Sequence, residues 1–422
     1  MSITSSFYSG LSGLDAHASA MQVIGDNIAN LHTTGFKGSS AHFEDVLGVS
    51  LSGVTGSNQT GAGAKVSSVD INFIQGSLET TDVATDIAIN GKGFFIVGDP
   101  ITNEQFYTRA GHFVIDNQGY YVNNLGYRVQ GYLYDVTGTS LIETLSDIRI
   151  QQNSLISPRV TSEIRMALNL DASTEPLTGG FDIDHPSTSS HFSTAITIYD
   201  SLGQSHQIEI YFTKTGDQTW QWNAVIDGSD VQGGTPGEYN LYGSGVIEFN
   251  ESGQLTTGMP VDFYTGSITF ANGLTPPSTT VDFTDTTQYG SASSIQVLSQ
   301  DGYAAGTVSG ISIDETGNIV ANYTNGIKKK IARLALADFP NLNGLIRKGG
   351  NLFQATTHSG DPLYNKPGVG GMGTICSSML EESNVDMAAE FIKMIIIQRG
   401  YQANTKVITT TDEMLAQLMN IK

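Results

Sequence analysis

Apolar residues recur at steps of three and four at both ends of the chain, and at steps of two between them. Near the N-terminus, Phe7, Leu11, Leu14, Ala18, Met21 and Ile28 trace one stripe. That period marks the seam of an amphipathic helix and predicts one over residues 4–31. Gly10, Gly13 and Gly25 lie within it. Each costs a helix up to ~1 kcal/mol relative to alanine, so this helix requires a partner. The partner is expected at the other end, where Met387, Met394, Tyr401, Ile408 and Leu415 recur every seven residues, with Phe391 and Met419 alongside. A sustained seven-residue repeat favours helix–helix pairing and predicts a helix over 384–420. Ser383 and Asp386 give it a capping-box-like start, and Gly400 predicts a bend at its middle.

In between, the period becomes two. Residues 86–97, DIAINGKGFFIV, alternate and then turn wholly apolar, as a strand entering a core does. Hairpins are expected at 112–122 and 310–321, strand pairs at 194–213 and 219–227, and one more at 245–255. Four of the turns share the form Asp/Asn-x-x-Gly: Asp116 to Gly119, Asp200 to Gly203, Asn250 to Gly253 and Asp314 to Gly317. In such turns the side chain accepts from the backbone ahead and the glycine supplies a positive φ. They lack the alternating carboxylates and distal glutamate of a calcium hand.

These elements nest. The fold class expected is α+β, mainly β, with discontinuous domains. Residues 1–31 and 376–422 form a terminal helical domain. Residues 32–69 and 357–375 are linker segments, of which the glycine- and serine-rich 48–68 is expected to order on contact. An inner β domain takes 70–154 and 285–356, and an inserted outer β domain takes 155–284.

Composition narrows the function classes. The 422 residues carry a net charge of −21, and an acidic chain is repelled by phosphate backbones, which argues against nucleic acid. One cysteine, Cys376, excludes an intrachain disulfide framework. The longest apolar run, near Phe391–Ile397, holds Lys393 and falls short of the ~20 residues a membrane span needs. The N-terminal stretch has neither a basic start nor a continuous apolar run, so no cleavable signal peptide is expected.

Candidate chemistry is sparse. Phosphate loops, dinucleotide fingerprints and hydrolase motifs are missing from the sequence. Gly91-Lys92-Gly93 fits a turn before a buried strand. His185 and His191 lack a carboxylate or cysteine in register for a metal. Glu381, Glu382 and Asp386 are explained by a helix dipole. The expectation is no catalytic residue, no cofactor and no metal. Trp220 and Trp222, two apart on one strand face, leave open a sugar platform or a core position.

The segment Gly25-Asp-Asn-Ile-Ala-Asn30 followed by Thr34-Gly35-Phe36-Lys37 resembles the N-terminal signature of the flagellar axial protein family, which includes rod, hook and hook-associated subunits. Asp26 stands where asparagine is commoner. Glu382-Ser-Asn-Val-Asp386 and Gln398-Arg-Gly-Tyr-Gln-Ala-Asn404 resemble its C-terminal signature, with Gly400 in place of a helix-favouring residue. By this resemblance the signature positions are Asn27, Asn30, Gly35, Phe36, Ser383, Asn384, Asp386, Gln398, Arg399, Tyr401 and Asn404. Ile198-Tyr-Asp-Ser-Leu-Gly203 with His206 and Tyr211-Phe212, and Phe339-Pro-Asn-Leu-Asn-Gly-Leu345 with Gly350-Asn-Leu-Phe353, are similar to the outer and inner domains of the family's hook branch. The resemblance implies a helical homopolymer, a hollow curved tube acting as a universal joint. Its polymerisation seam is expected at Phe7, Leu11, Leu14, Met21, Ile28, Met387, Phe391, Met394, Tyr401, Ile408 and Leu415. It further implies an extracellular location, export by the flagellar type III apparatus without a cleaved signal, and partners in the distal rod, the hook cap and the hook–filament junction, with neither nucleic acid nor membrane insertion. A distal rod subunit and a secreted carbohydrate-binding β protein are the alternatives.

Overall fold

A computed structural model describes residues 3–53, 56–135, 137–151 and 155–420. The extreme ends of the expected terminal domain (1, 2, 421 and 422) and the expected boundary at 154 lie outside the described residues. The fold is α+β, mainly β, with a long helix at each end: α1 at Ile3–Ala29 and α2 at Met387–Asn420. α2 begins later than its apolar pattern suggested, because Asp386 rather than Ser383 caps it. Asp386 Oδ1 accepts the N–H of Ala388 at 2.8 Å and of Ala389 at 3.3 Å, which satisfies orphan donors and places a carboxylate at the positive end of the dipole.

After α1 the chain runs out along β1 (Ser39–Gly53) and returns along β2 (Gly56–Ile71), an antiparallel ribbon paired from Ser39↔Ile71 to Gly53↔Gly56 with register shifts between His42 and Ser50. This corrects the reading of 48–68 as a linker. The small residues that suggested flexibility let the ribbon lie against α1. At Gly63 (φ +111°) a Cβ would fall 1.9 Å from Ser12 Oγ, which accepts the neighbouring Ala64 N–H at 3.3 Å. The second expected linker, 357–375, is also folded. Leu363–Asn365 pairs with Leu336–Asp338, Thr374–Ser377 pairs with Ile87–Asn90, and Met372 and Ile375 are buried among core residues.

The chain divides into two compact units. The first comprises 1–152, 309–322 and 328–422. Its central sheet orders Asn318–Tyr323, Lys328–Leu334, Arg128–Tyr134, Phe94–Gly98, Gln105–Thr108, Leu352–Gln354 and Ile346–Gly349. Phe94–Gly98 is buried on both faces, which explains why its sequence loses alternation. Phe95, Val97, Phe113, Tyr121 and Leu334 fill one side, and Phe94, Ile96, Tyr107, Phe339 and Phe353 the other.

The second unit comprises 153–308 and 323–327. It therefore includes residues 285–308, which the sequence reading placed in the flanking domain. Ser294–Gln300 pairs with Glu163–Asn169 and completes a sheet with Thr280–Asp282 and Val261–Asp262. A second sheet is the meander Phe192–Tyr199, Ser205–Gly216, Thr219–Asp227, Tyr239–Glu248. Both sheets contribute to one core, in which Trp220 and Trp222 are buried with Phe212, Phe263 and Phe283. A sugar platform at these tryptophans is thereby excluded.

The Asp/Asn-x-x-Gly turns form as their chemistry requires. Asp116, Asp200, Asn250 and Asp314 each offer Oδ1 to the backbone N–H groups two and four residues on, all at 2.8–2.9 Å. Gly119, Gly203, Gly253 and Gly317 adopt φ between 74° and 85°. Asn123 to Gly126 repeats the arrangement.

Candidate functional site

The motifs at the two ends of the chain meet at one junction. Asn27, 2% exposed near the end of α1, donates from Nδ2 to Ser39 O at 2.7 Å and Glu390 Oε2 at 3.2 Å, and accepts the Ser39 N–H at 2.8 Å. One amide thus ties α1, β1 and α2. Gly35 (φ +68°) gives its N–H to Glu381 O at 2.6 Å, and a Cβ there would lie 2.5 Å from Ala110 N. Only glycine meets both demands. Phe36 is buried, with the Arg347 guanidinium 5.1 Å from its ring. Asn384 accepts the Gly38 N–H at 2.8 Å and donates to Asn72 O at 2.7 Å and Ile74 O at 2.9 Å.

Beneath these contacts lies a buried ion triad. Lys37 Nζ is 2.5 Å from Glu381 Oε1, and Arg109 Nη1 is 3.4 Å from Glu381 Oε2. Lys37 also donates to Ile74 O at 2.8 Å, Arg109 to Gly91 O at 2.8 Å, and Gly76 N–H to Glu381 Oε1 at 3.0 Å. Burial pushes the Lys37 ammonium below its ordinary value, and the Glu381 carboxylate works against that shift. Glu381 is therefore no helix-dipole acid. It ends the strand Met379–Glu381 ahead of α2 and is fully buried. Sequence reasoning missed this role, as it did those of Arg109 and Glu390. Lys37 was visible as the last residue of the N-terminal signature, but its pairing with a residue 344 positions away has no local signal.

The helices pack antiparallel. A Cβ on Gly10 would meet Ile408 Cγ1 at 3.1 Å, one on Gly13 Asn404 Nδ2 at 2.7 Å, and one on Gly400 the His17 ring at 2.7 Å. The α1 face turned inward is Gly10, Gly13, Ala16, Ala20, Ile24 and Asn27, all buried. Opposite it lie Glu390, Ile397, Asn404, Ile408 and Thr411. Gly10 and Gly13, taken as weak points, and Gly400, taken as a bend, are close-approach positions, whereas Gly25 is exposed and a Cβ there would meet nothing within 4 Å. Within the subunit the helices meet on a face other than the expected polymerisation seam. The inward stripe on α1 is displaced from Phe7, Leu11, Leu14, Met21 and Ile28, the smallest offset being one residue, about 100° of helix. Of those five, Leu11 is exposed and the others are half-buried. On α2, Met394 and Ile408 are half-buried, while Met387, Phe391, Tyr401 and Leu415 are exposed.

Among the signature residues, Asn27, Gly35, Phe36 and Asn384 come together at the junction. Asp386 caps α2. Asn30 bonds locally to Asp26 and Thr33, and Ser383 accepts the Val385 N–H at 3.4 Å. Asn404 lies in the helix seam, and Gln398, Arg399 and Tyr401 face outward. His185 and His191 do not converge on one site. His185 contacts Asp182 at 3.3 Å in an exposed loop, and His191 Nδ1 accepts the Lys214 N–H at 3.0 Å. Cys376 is a half-buried free thiol paired through its backbone with Ala88.

The exposed apolar surface concentrates on α2. By the 3.6-residue turn, Met387 (46% exposed), Phe391 (47%) and Tyr401 project to one side of the line facing α1. Ile392 (60%), Ile396 (62%), Val407 and Met414 project to the other. No helix among the described residues is long and apolar enough to cross a membrane.

Known families match four parts of the chain. The flagella basal body rod protein family matches residues 7–37, and the flagellar hook protein FlgE/F/G D1 domain matches 88–162. The flagellar basal body protein FlaE D2 domain matches 169–303, and the flagellar basal body rod FlgEFG protein C-terminal region matches 377–421. The chain is 33% identical over 465 residues to the flagellar hook protein FlgE of Borreliella burgdorferi, covering 99% of both. It is 34% identical over 423 residues to that of Salmonella typhimurium, covering 99% of this chain and 100% of the other. The crystal structure of Helicobacter pylori flagellar hook protein FlgE2 aligns with a TM-score of 0.51 at 18% identity, over 72% of this chain and 100% of that one, a likeness of fold alone.

Proposed function

The chain belongs to the flagellar hook protein family, and we propose that it joins its polymer through the two apolar flanks of α2. Its role is that of a structural subunit of the bacterial flagellar hook, associating with its own copies and with basal body components. The observation that carries the reading is the placement of exposed apolar residues. In water an isolated helix pair gains by covering both flanks. One partner helix covers one flank. Two flanks on opposite sides call for two neighbours, which a heterologous assembly supplies and a closed two-fold dimer does not. The expected seam residues Met387, Phe391, Met394, Tyr401 and Leu415 then act between copies, alongside Ile392 and Ile396 on the other flank. The stripe of Phe7, Leu11, Leu14, Met21 and Ile28 supplies the matching surface on α1.

On this reading the polymer is a hollow curved tube that transmits motor torque to the filament. The subunit leaves the cell through the flagellar type III apparatus without a cleaved signal. It meets the distal rod, the hook cap and the hook–filament junction at the ends of the tube. The unit at 153–308 has its own core and turns, and it shapes the tube rather than nucleating it.

The test replaces one residue per flank, Phe391→Asp and Ile396→Asp, in separate full-length variants. Both side chains are solvent-exposed in the subunit, so circular dichroism should be unchanged. Neither variant should form tubes by electron microscopy. Each keeps one intact flank and should therefore cap growing wild-type tubes at substoichiometric ratios. Normal tubes from either variant would refute the placement.

A further inference from the structure

The chain's negative charge is unevenly distributed. The unit at 153–308 and 323–327 holds seventeen carboxylates against three cations, Arg159, Arg165 and Lys214, which is −14 of the total −21. None of the three cations is free. Arg159 pairs with Asp301 at 2.8 Å and Arg165 with Asp285 at 2.5 Å. Lys214 is buried, giving its ammonium protons to Ala172 O at 2.8 Å and Thr174 O at 2.9 Å.

The other unit carries the opposite feature. Three consecutive lysines, Lys328, Lys329 and Lys330, open the strand Lys328–Leu334. Their cross-strand neighbours are Asn322, Ala321 and Val320, none of them acidic. Among the described residues no carboxylate lies within 4.0 Å of any of the three ammonium groups; Lys37, Lys65, Lys366 and Lys393 in the same unit each have one, and the other unpaired lysines described there, Lys92, Lys348 and Lys406, each stand apart from any other lysine in sequence. Lys328 and Lys330 are exposed, and Lys330 lies 5.9 Å from the Tyr134 ring centroid. In a chain with twice as many acids as bases, a cationic ridge left without an ion-pair partner stands out.

We propose that the Lys328–Lys330 ridge of one copy docks on the carboxylate-rich inserted unit of a neighbouring copy in the assembled tube. The proposal deepens the polymer reading above and rests on it. Charge complementarity selects the occupant. Copies of an acidic unit repel one another, and in a homopolymer the ridge is a run of three adjacent cations that each copy offers its neighbours. A contact made by long, solvated lysine side chains tolerates sliding, because its energy changes little with register. It is also sensitive to salt, since the screening length falls from about 10 Å at 0.1 M to about 3 Å at 1 M.

The experiment uses tubes assembled from equal amounts of ¹⁴N- and ¹⁵N-labelled full-length subunits, coupled with a zero-length carbodiimide and analysed by mass spectrometry. The expected result is mixed-isotope amide links from Lys328, Lys329 or Lys330 to carboxylates between residues 153 and 308. Links confined to one isotope population, or to carboxylates of the first unit, would overturn the proposal while leaving the polymer intact. Failure of the wild-type chain to form tubes would overturn the polymer reading, and the proposal with it. A triple variant, K328E/K329E/K330E, gives a second readout. It should still assemble through α2, yet show much less of the salt dependence of disassembly that the proposal predicts for wild-type tubes. An unchanged salt dependence would count against the ridge.

Discussion

Lys37→Met is the sharpest perturbation of the junction. It removes the ammonium 2.5 Å from Glu381 Oε1 and leaves a carboxylate with 0% side-chain exposure. What remains is Arg109 at 3.4 Å and the Gly76 N–H at 3.0 Å. Breaking a buried pair from one side costs about 3–5 kcal/mol, because the surviving charge loses its compensation. Glu381→Leu should cost at least as much, since it strands two buried cations. In the double variant neither Lys37 nor Glu381 is left stranded, so its loss should fall short of the sum of the singles by about 2 kcal/mol. At ~2–4 °C per kcal/mol for a unit of this size, each single change lowers the midpoint of unfolding by roughly 10 °C. The assay is urea and thermal unfolding of the full chain. Both tryptophans, Trp220 and Trp222, lie in the second unit, so their fluorescence is an internal control while the helical part of the far-ultraviolet dichroism follows the first, which holds both long helices. Strictly additive single effects would refute the triad, as would a tryptophan transition displaced as far as the dichroic one.

Other positions make independent tests. Burial acts to raise the Asp314 carboxyl, but donation from Thr316 Oγ1, Asn318 Nδ2 and two backbone N–H groups outweighs it and holds the group below the usual carboxylate range. A depressed carboxylate stabilises above its unfolded value near ~3.9, and that stabilisation is lost as pH falls through the folded value. Asp314→Asn keeps the Oδ1 acceptor, as Asn250 does in its own turn, but replaces the Oδ2 that accepts from Asn318 Nδ2 at 2.9 Å with a donor, so the variant should be less stable at pH 7 and the gap to wild type should close as pH falls; a gap independent of pH would refute the assignment. Gly35→Ala forces a Cβ to within 2.5 Å of Ala110 N at a φ of +68° and should cost about 3 kcal/mol by urea unfolding, of which ~1–2 kcal/mol is the left-handed penalty. Gly400→Ala would add ~1 kcal/mol of helix propensity in an isolated helix. Here the Cβ meets the His17 ring at 2.7 Å, so hydrogen exchange in α2 should quicken rather than slow.

The sequence by itself determined the parts whose causes are local. The period of apolar residues marked α1 and α2, and alternation marked the strands. Asp, Asn and Gly at fixed offsets specified turns that close through backbone atoms at most four residues away. Net charge, the single cysteine and the signature segments narrowed the class to a structural axial protein. The tertiary structure decided what depends on a partner distant in the chain. Glycine reads alike whether it loosens a helix or admits another backbone, and only the packing of Gly13 on Asn404 and His17 on Gly400 distinguishes these. The ribbon at 39–71 looks like a linker because small, polar residues lack a core of their own; it is ordered because α1 lies beside it. Lys37, Arg109 and Glu381 are ordinary surface residues by composition, and they become a buried triad because the fold brings three separate segments together. The helical stripe showed that a seam exists but not which face is used within one subunit. That choice was made by size: the small residues Gly10, Gly13, Ala16 and Ala20 let the two helices approach, and the bulky ones, such as Phe391 and Ile396, were left outside for other copies.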